Sequence, residues 1–320
     1  MEINANSVPS PEKSRILITG ARGFLGSYVI GRLLSKGFPK SNLITPTFAE
    51  CDFLIKEDCV KAVNKCDYVI HLAGKVGDST DQKKAPGQFF YENILMGLNV
   101  LEASREAKIK KTIFVGSINS YPANAIAPFK ESYLWQGYPE EANASYAIAK
   151  LAILVGCQAY HKQYNLDSAY LIFPNLYGPW GDCKKSQSFF SYMVKKICIA
   201  VSSNEEKITF SGTGLAEREF LYISDAAEAI VQSLKSRPLE NPINIGTGKK
   251  INLRDLSVII ATAAGFKGKI EWVGAVGADS TRTLDISYVK NNWGFEPAKN
   301  LKEGVKETIT WYLNNCASKR

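Results

Sequence analysis

The chain has 320 residues, 45% hydrophobic and 22% charged, an ordinary globular balance sufficient for one large domain or two intertwined ones. No apolar run approaches the roughly 18–20 residues of a membrane span, and the polar start from Met1 to Ser14 lacks the basic and apolar regions of a secretory signal, so it is expected to be a disordered tail. The net charge of +8 comes from dispersed Lys and Arg rather than a basic block, which fits a pocket for a polyanionic small molecule and argues against nucleic-acid or membrane partners.

Residues 15–19, R-I-L-I-T, predict a first strand. The next helix carries Tyr28, Val29, Leu33 and Leu34 on one face and ends at Lys36-Gly37, where glycine suits the left-handed position past a C-terminus. Further strands are predicted at 43–45, 67–72, 111–116 and 168–173, with amphipathic stretches such as 93–108 between them. That alternation implies a Rossmann-type α/β fold, a doubly wound parallel sheet with helices on both faces. After Pro174 the segments shorten; a strand and turn are expected at 241–248 and amphipathic helices at 253–264 and 301–313. The expected division is a tail at 1–14, a dinucleotide-binding domain at 15–174 with part of 217–235, and a smaller mixed α/β domain over most of 175–320.

Between the first strand and its helix stand Gly20, Gly23 and Gly26, in G-x-x-G-x-x-G spacing. Glycines there permit a tight turn and close approach of backbone to a pyrophosphate, and the helix N-terminus offers N–H groups and a positive dipole end. The strand–turn–helix context turns a weak motif into a specific one, so Gly20, Arg22, Gly23, Phe24, Leu25 and Gly26 are assigned to a cofactor. The second strand ends in Ile44-Thr45-Pro46-Thr47, without the acid that would bind an NAD ribose. Arg22 is placed to meet a 2′-phosphate, which favours NADP(H) over NAD(H). Asp52 is a candidate for the adenine amino group.

Tyr146 and Lys150 form Y-x-x-x-K, and residues four apart on a helix share a face. An ammonium beside a phenol is expected to lower the phenol's pKa, so that Tyr146 can exchange a proton with a sugar oxygen while hydride passes to or from a nicotinamide. Ser117, at the end of the strand K-T-I-F-V-G, is expected to hydrogen-bond the same oxygen. The cysteines number seven, with no C-x-x-C pair, and the only histidines are His71 and His161; neither a disulfide framework nor a metal centre is expected. His71 is expected to be a core or cofactor-adjacent residue. The compartment is expected to be the cytoplasm.

These pieces, with A-G-K-V-G at Ala73 to Gly77, N-L-Y-G-P at Asn175 to Pro179 and G-T-G-x-x-x-R-E-F-L from Gly212 to Leu221, resemble the extended short-chain dehydrogenases, and within them the GDP-L-fucose synthase family. The resemblance runs from about Arg15 to Leu313. It implies a 4-keto-6-deoxy sugar nucleotide, GDP-linked, that is epimerised at C3 and C5 and reduced at C4 with NADPH. It also implies that Leu72, Ala73, Gly74, Pro174 and Asn175 join Tyr146 and Lys150 around the cofactor. Lys75, Asn119, Asn175, Phe189, Lys196, Arg218 and Arg282 would then face the substrate, the two arginines on the diphosphate with their bidentate fork.

The chain departs from that family at two points. Where fucose synthases carry a cysteine two residues after the serine, it has Asn119, and where they carry a histidine after N-S, it has Phe189 following Gln187-Ser188. Asparagine is no general base near neutral pH, and phenylalanine moves no protons. Cys183 lies in the same loop at the wrong spacing. The expectation is therefore a 4-ketoreductase that has lost C3/C5 epimerisation; the alternatives are an NAD-dependent C4 epimerase using the same three residues, and a non-catalytic dinucleotide-binding module. A 4,6-dehydratase is disfavoured because position 119 holds no acid. Helices over 93–108 and 145–164 are candidates for a homodimer interface.

Overall fold

The computed structural model describes residues 13–77, 79–181, 183, 188–236, 241–274 and 280–316. The large domain begins with β1 (Ile16–Thr19), α1 (Phe24–Ser35), β2 (Leu43–Ile44), α2 (Lys56–Val63), β3 (Tyr68–His71), α3 (Ser79–Lys84) and α4 (Pro86–Glu106). It continues with β4 (Lys111–Ser117), α5 (Ala144–Tyr164) and β5 (Ser168–Phe173). There follow β6 (Asn175–Tyr177), α6 (Phe189–Ser202), β7 (Lys207–Ser211), β8 (Glu217–Tyr222), α7 (Ile223–Ser233), β9 (Ile243–Asn244), β10 (Lys250–Asn252), α8 (Leu253–Ala264), β11 (Lys269–Val273), β12 (Thr281–Arg282), α9 (Ser287–Trp293) and α10 (Leu301–Asn315).

The main sheet has the order β2-β1-β3-β4-β5-β9, and every pair in it is parallel. Its strands are continuous apolar runs because both faces are covered: Ile16, Ile18 and Ile70 pack in one core, Leu17, Val69 and Phe114 in another. The order reverses at β1–β3, so the carboxyl ends of β1, β3, β4 and β5 open on the crevice where such sheets bind ligands. A third core under α6, α8 and α10 belongs to the small domain and takes in Tyr177 and Trp180.

Three expectations change. The ordered chain starts before residue 15: Ser14 is buried and the Arg15 backbone N–H donates to Asp67 Oδ2 at 2.9 Å; residues 1–12 of the expected tail lie outside the described residues. The large domain also recruits more of the C-terminal half than 217–235, since β9 extends its sheet and Ile243, Ile245, Val289 and Phe295 join its core. Finally, Cys183 and Cys316 form a disulfide, with Cα atoms 5.4 Å apart across a sequence separation of 133. Spacing could not foretell it, because only the return of α10 brings the two together. No described helix is long and apolar enough to cross a membrane.

Candidate active site

The glycine turn is tight for reasons visible atom by atom. Gly20 has φ +65°, and a Cβ there would sit 2.7 Å from the Ala73 backbone N; at Gly26 it would sit 2.3 Å from the Gly20 carbonyl oxygen. The N-cap of α1 is Gly23, with no side-chain cap and no acid in the first turn, which leaves the helix's first N–H groups and its positive end to an anion. Behind the turn, Thr19 Oγ1 accepts from the Leu72 and Ala73 N–H groups at 3.0 and 2.9 Å. With both of those bonds accepted, its own proton goes to His71 Nδ1, 2.9 Å away. Burial, with a smaller push from Lys150, lowers the His71 pKa to about 3, so His71 is a neutral acceptor that fixes the β1–β3 crevice.

Lys150 sits against the end of β3: a Cβ on Gly74 would lie 3.8 Å from its Nζ and 2.9 Å from Asn93 Oδ1. Asn93 donates to the Phe89 and Lys75 carbonyls at 2.7 and 3.0 Å, yet its buried Oδ1 has no partner. The uncapped helix, the side-chain-free approach at the glycines and this orphaned acceptor fit a bound dinucleotide. At the adenosine end Arg22 is exposed. Asp52 instead caps its own loop, accepting from Leu54 N–H at 3.0 Å. Glu50 is the first acid after the end of β2 in the sequence. Its carboxylate accepts from Thr47 N–H at 2.7 Å and is held below the usual range chiefly by Thr47 and more weakly by the charge of Arg22.

Tyr146 and Lys150 lie in the first two turns of α5, with the ammonium 5.6 Å from the phenol ring centroid. The Tyr170 hydroxyl, from β5, donates to the Lys150 carbonyl at 2.8 Å and locks α5 to the sheet. Burial raises Tyr146 to about 12 and lowers Lys150 to about 8. Here desolvation, which disfavours both charged forms, outweighs the attraction expected to lower the phenol. Tyr146 is thus a protonated donor. Ser117 ends β4 and its Oγ accepts from Asn119 N–H at 3.2 Å, in a 3₁₀ turn over Ile118–Ser120 that packs on α5.

A cavity of about 230 Å³ lies on the small-domain side, lined by Asn175, Ser188, Phe189, Phe190, Arg218, Phe220 and Leu253. A groove of about 310 Å³ between α1 and α7 is larger but holds none of the nominated residues. Arg218 Nη1 donates to the Glu217 and Ser280 carbonyls at 2.9 and 2.5 Å, and Asn175 Nδ2 to the Glu219 carbonyl at 2.9 Å. Phe189 belongs to an aromatic cluster, with ring centroids 5.9 Å from Tyr192 and 6.4 Å from both Phe210 and Trp272. Lys196 donates to Tyr192 Oη at 3.3 Å and to the Thr209 carbonyl; Lys75 is 3.6 Å from Glu92. Arg282 is not in the cavity wall. It is 4% exposed, and Glu140 and the Ile118 carbonyl hold it. Cys183, as a disulfide, has no thiol to exchange protons. Gln187 lies outside the described residues. Among those described, no group of three His, Cys, Asp or Glu side chains is placed to hold a metal.

A model of the NAD dependent epimerase/dehydratase family matches residues 16–246. GDP-L-fucose synthase 1 of Arabidopsis thaliana is 32% identical over 313 residues, 97% of this chain and 96% of that protein. The GDP-L-fucose synthase of Escherichia coli (strain K12) is 30% identical over 95% of this chain and 98% of its own. Among solved structures, a GDP-mannoheptose C4 reductase from Campylobacter jejuni with NADP bound matches with a TM-score of 0.86 at 27% identity, covering 95% of this chain and 99% of that one.

Proposed function

Because the chain belongs to the NAD dependent epimerase/dehydratase family, we propose that it reduces C4 of a GDP-linked 4-keto sugar with NADPH and does not exchange protons at C3 or C5. The observation that carries this is a split in the site. Ser117, Tyr146 and Lys150 are all present, whereas Asn119 and Phe189 occupy the two positions where fucose synthases carry a cysteine and a histidine. Phe189 is packed among aromatic rings, and among the described residues no cysteine or histidine lines the cavity.

Bound NADPH supplies the hydride. The chain's own part is proton chemistry and orientation. Tyr146, protonated across the physiological range, donates to the C4 oxygen as negative charge develops there. The Lys150 ammonium stabilises the resulting phenolate. Ser117 Oγ has a proton left to donate after accepting from Asn119 N–H, and it orients the same oxygen. Arg218 in the cavity wall supplies the diphosphate contact, while Asn119 remains a candidate for a hydroxyl contact. Exposed Arg22 and the acid-free end of β2 support NADPH over NADH, with Glu50 beside Arg22 as the opposing feature.

Exposed apolar side chains on the paired helices α4 and α5, among them Phe90, Tyr91, Leu98 and Val155, support a homodimer through this face. A dimer mass by light scattering that falls to the monomer in Leu98→Lys checks it.

The decisive experiment incubates the protein with GDP-4-keto-6-deoxymannose and NADPH in deuterated water and examines the product by NMR. Reduction at C4 without deuterium at C3 or C5 is the expected result. Deuterium at those carbons sinks the loss of epimerisation, and failure to oxidise NADPH with this and other GDP-4-keto sugars sinks the reductase assignment.

A further inference from the structure

We infer that Arg282 is a positioning residue for the reduction, a strut that fixes the backbone carrying Ser117 and Tyr146, and not a ligand of the substrate diphosphate. The inference rests on the reductase reading above and adds a residue to its machinery. Arg282 ends β12, which pairs in parallel with β8 and places Arg282 in register with Arg218. The two arginines are thus neighbours in one sheet, yet only Arg218 lines the cavity.

The buried guanidinium of Arg282 reaches the large domain instead. Its Nη2 donates to the Ile118 carbonyl at 2.7 Å. Ile118 follows Ser117 directly and opens the turn in which Asn119 N–H donates to Ser117 Oγ. Its Nη1 donates to Glu140 Oε1 at 2.9 Å. Glu140 immediately precedes the short turn Glu141–Asn143 and its carbonyl accepts from Asn143 N–H at 2.9 Å; that turn runs straight into α5 and so into Tyr146 and Lys150. The ring of Phe129 lies under the guanidinium, 5.3 Å from centroid to Cζ. Phe129 is bonded in turn to the segment just after β12, through Phe129 N–H to Thr283 O at 2.7 Å and Asp285 N–H to Phe129 O at 2.9 Å.

One planar fork therefore spans the serine turn and the entrance to the tyrosine helix, and ties both to the sheet that holds Arg218. Arginine suits this task because its donors are rigidly splayed; a lysine ammonium is a point charge that cannot hold both acceptors at these positions. A misplacement of about 1 Å at a reacting group can cost up to 10²-fold in rate, so slack in the strut is expected to appear in kcat. A diphosphate ligand would leave a different mark, since GDP carries the diphosphate without the reacting sugar.

The test compares Arg282→Lys and Glu140→Gln with Arg218→Ala. It measures kcat with GDP-4-keto-6-deoxymannose, the inhibition constant of GDP, NADPH affinity by fluorescence and, without substrate, amide hydrogen exchange in peptides covering 116–122 and 140–147. Arg282→Lys is expected to lose roughly 10–100-fold in kcat, to leave GDP inhibition and NADPH affinity within about twofold, and to speed exchange in both peptides. Arg218→Ala is expected to weaken GDP about tenfold or more with 116–122 unchanged. Glu140→Gln keeps the Ile118 bond, so its loss of kcat is smaller and its faster exchange is confined to 140–147; it carries the test if Arg282→Lys fails to fold. Weaker GDP inhibition in Arg282→Lys with kcat retained, or unchanged exchange in both peptides, overturns the strut. If the unaltered protein oxidises no NADPH, the reductase reading falls, and the exchange measurements still decide whether Arg282 holds the two segments.

Discussion

The two sides of the crevice use their residues in opposite ways. On the large-domain side each chemical element occupies a short window and stays where that window puts it: three glycines in one turn, a tyrosine and lysine one helical turn apart, a serine at a strand end. On the small-domain side two of the nominated cations are already fastened. Arg282 is spent on Glu140 and Ile118, and Lys196 on Thr209 and Tyr192. A glycine turn or an i,i+4 pair is fixed by local backbone geometry. The role of a long cation is fixed by whichever acceptor tertiary packing brings near it, and no spacing records that.

The largest effect should come from the large-domain side. Tyr146→Phe removes the proton donor and little else, so kcat is expected to fall by about 10²–10⁴-fold, with NADPH affinity and the melting temperature unchanged. A variant keeping more than a tenth of the activity would show that the short-window logic fails where it looks strongest. The disulfide probes the opposite, non-local kind of contact. Cys316→Ser opens a bridge across a sequence separation of 133 and is expected to cost about 2–4 kcal/mol in denaturant unfolding under non-reducing conditions. Titration of the unfolded, unreduced protein should find the five unbridged thiols, Cys51, Cys59, Cys66, Cys157 and Cys198; seven would remove the bridge.

The same division governs what was legible in the sequence. Alternating strands and helices placed β4, β5, α5 and α8 to within a residue, because each is a long run with one period. The capture of β9 by the main sheet was not legible, since two residues leave no period to detect. Glu50 was not legible because it bends back to Thr47 from six residues past the strand end, outside the span in which a ribose-binding acid normally sits. The raised Tyr146 pKa escaped because Y-x-x-x-K shows the neighbouring ammonium and does not show burial. Arg282 escaped for a similar reason: its partners, at 118 and 140, lie in segments remote from it in the chain.

A smaller effect sharpens the account of the glycine turn. In Gly26→Ala the new Cβ would meet the Gly20 carbonyl oxygen at 2.3 Å and Ala21 backbone atoms at 2.8 and 2.9 Å. These are backbone atoms that cannot rotate away, so the turn must open. We expect a loss of about 1–3 kcal/mol in stability. NADPH affinity should fall with it, because the helix N–H groups that meet a pyrophosphate move with the turn. If stability drops and NADPH affinity holds, the turn is structural and the cofactor is gripped elsewhere.

The smallest effect is a pH dependence, and it separates activity from stability by sign. Burial lowers Lys150 to about 8 and raises Tyr146 to about 12. Across neutral pH the tyrosine therefore keeps its proton, and the lysine is the group that changes. Proton donation leaves a phenolate that needs the ammonium, so kcat/KM for NADPH, which reports the free enzyme, should fall as pH rises through about 8. Stability should move the other way. The unfolded lysine keeps its ordinary pKa of 10.5. Between about 8 and that value the unfolded chain binds more protons than the folded one, so the Lys150 contribution to stability rises with pH. A decline in rate above pH 8 without a decline in melting temperature is thus the signature of Lys150. Lys150→Arg, charged throughout, should lose the decline while lowering the overall rate. If the decline persists near pH 8 in that variant, it belongs to another group, and the pairing of a protonated phenol with a titrating ammonium does not describe this site.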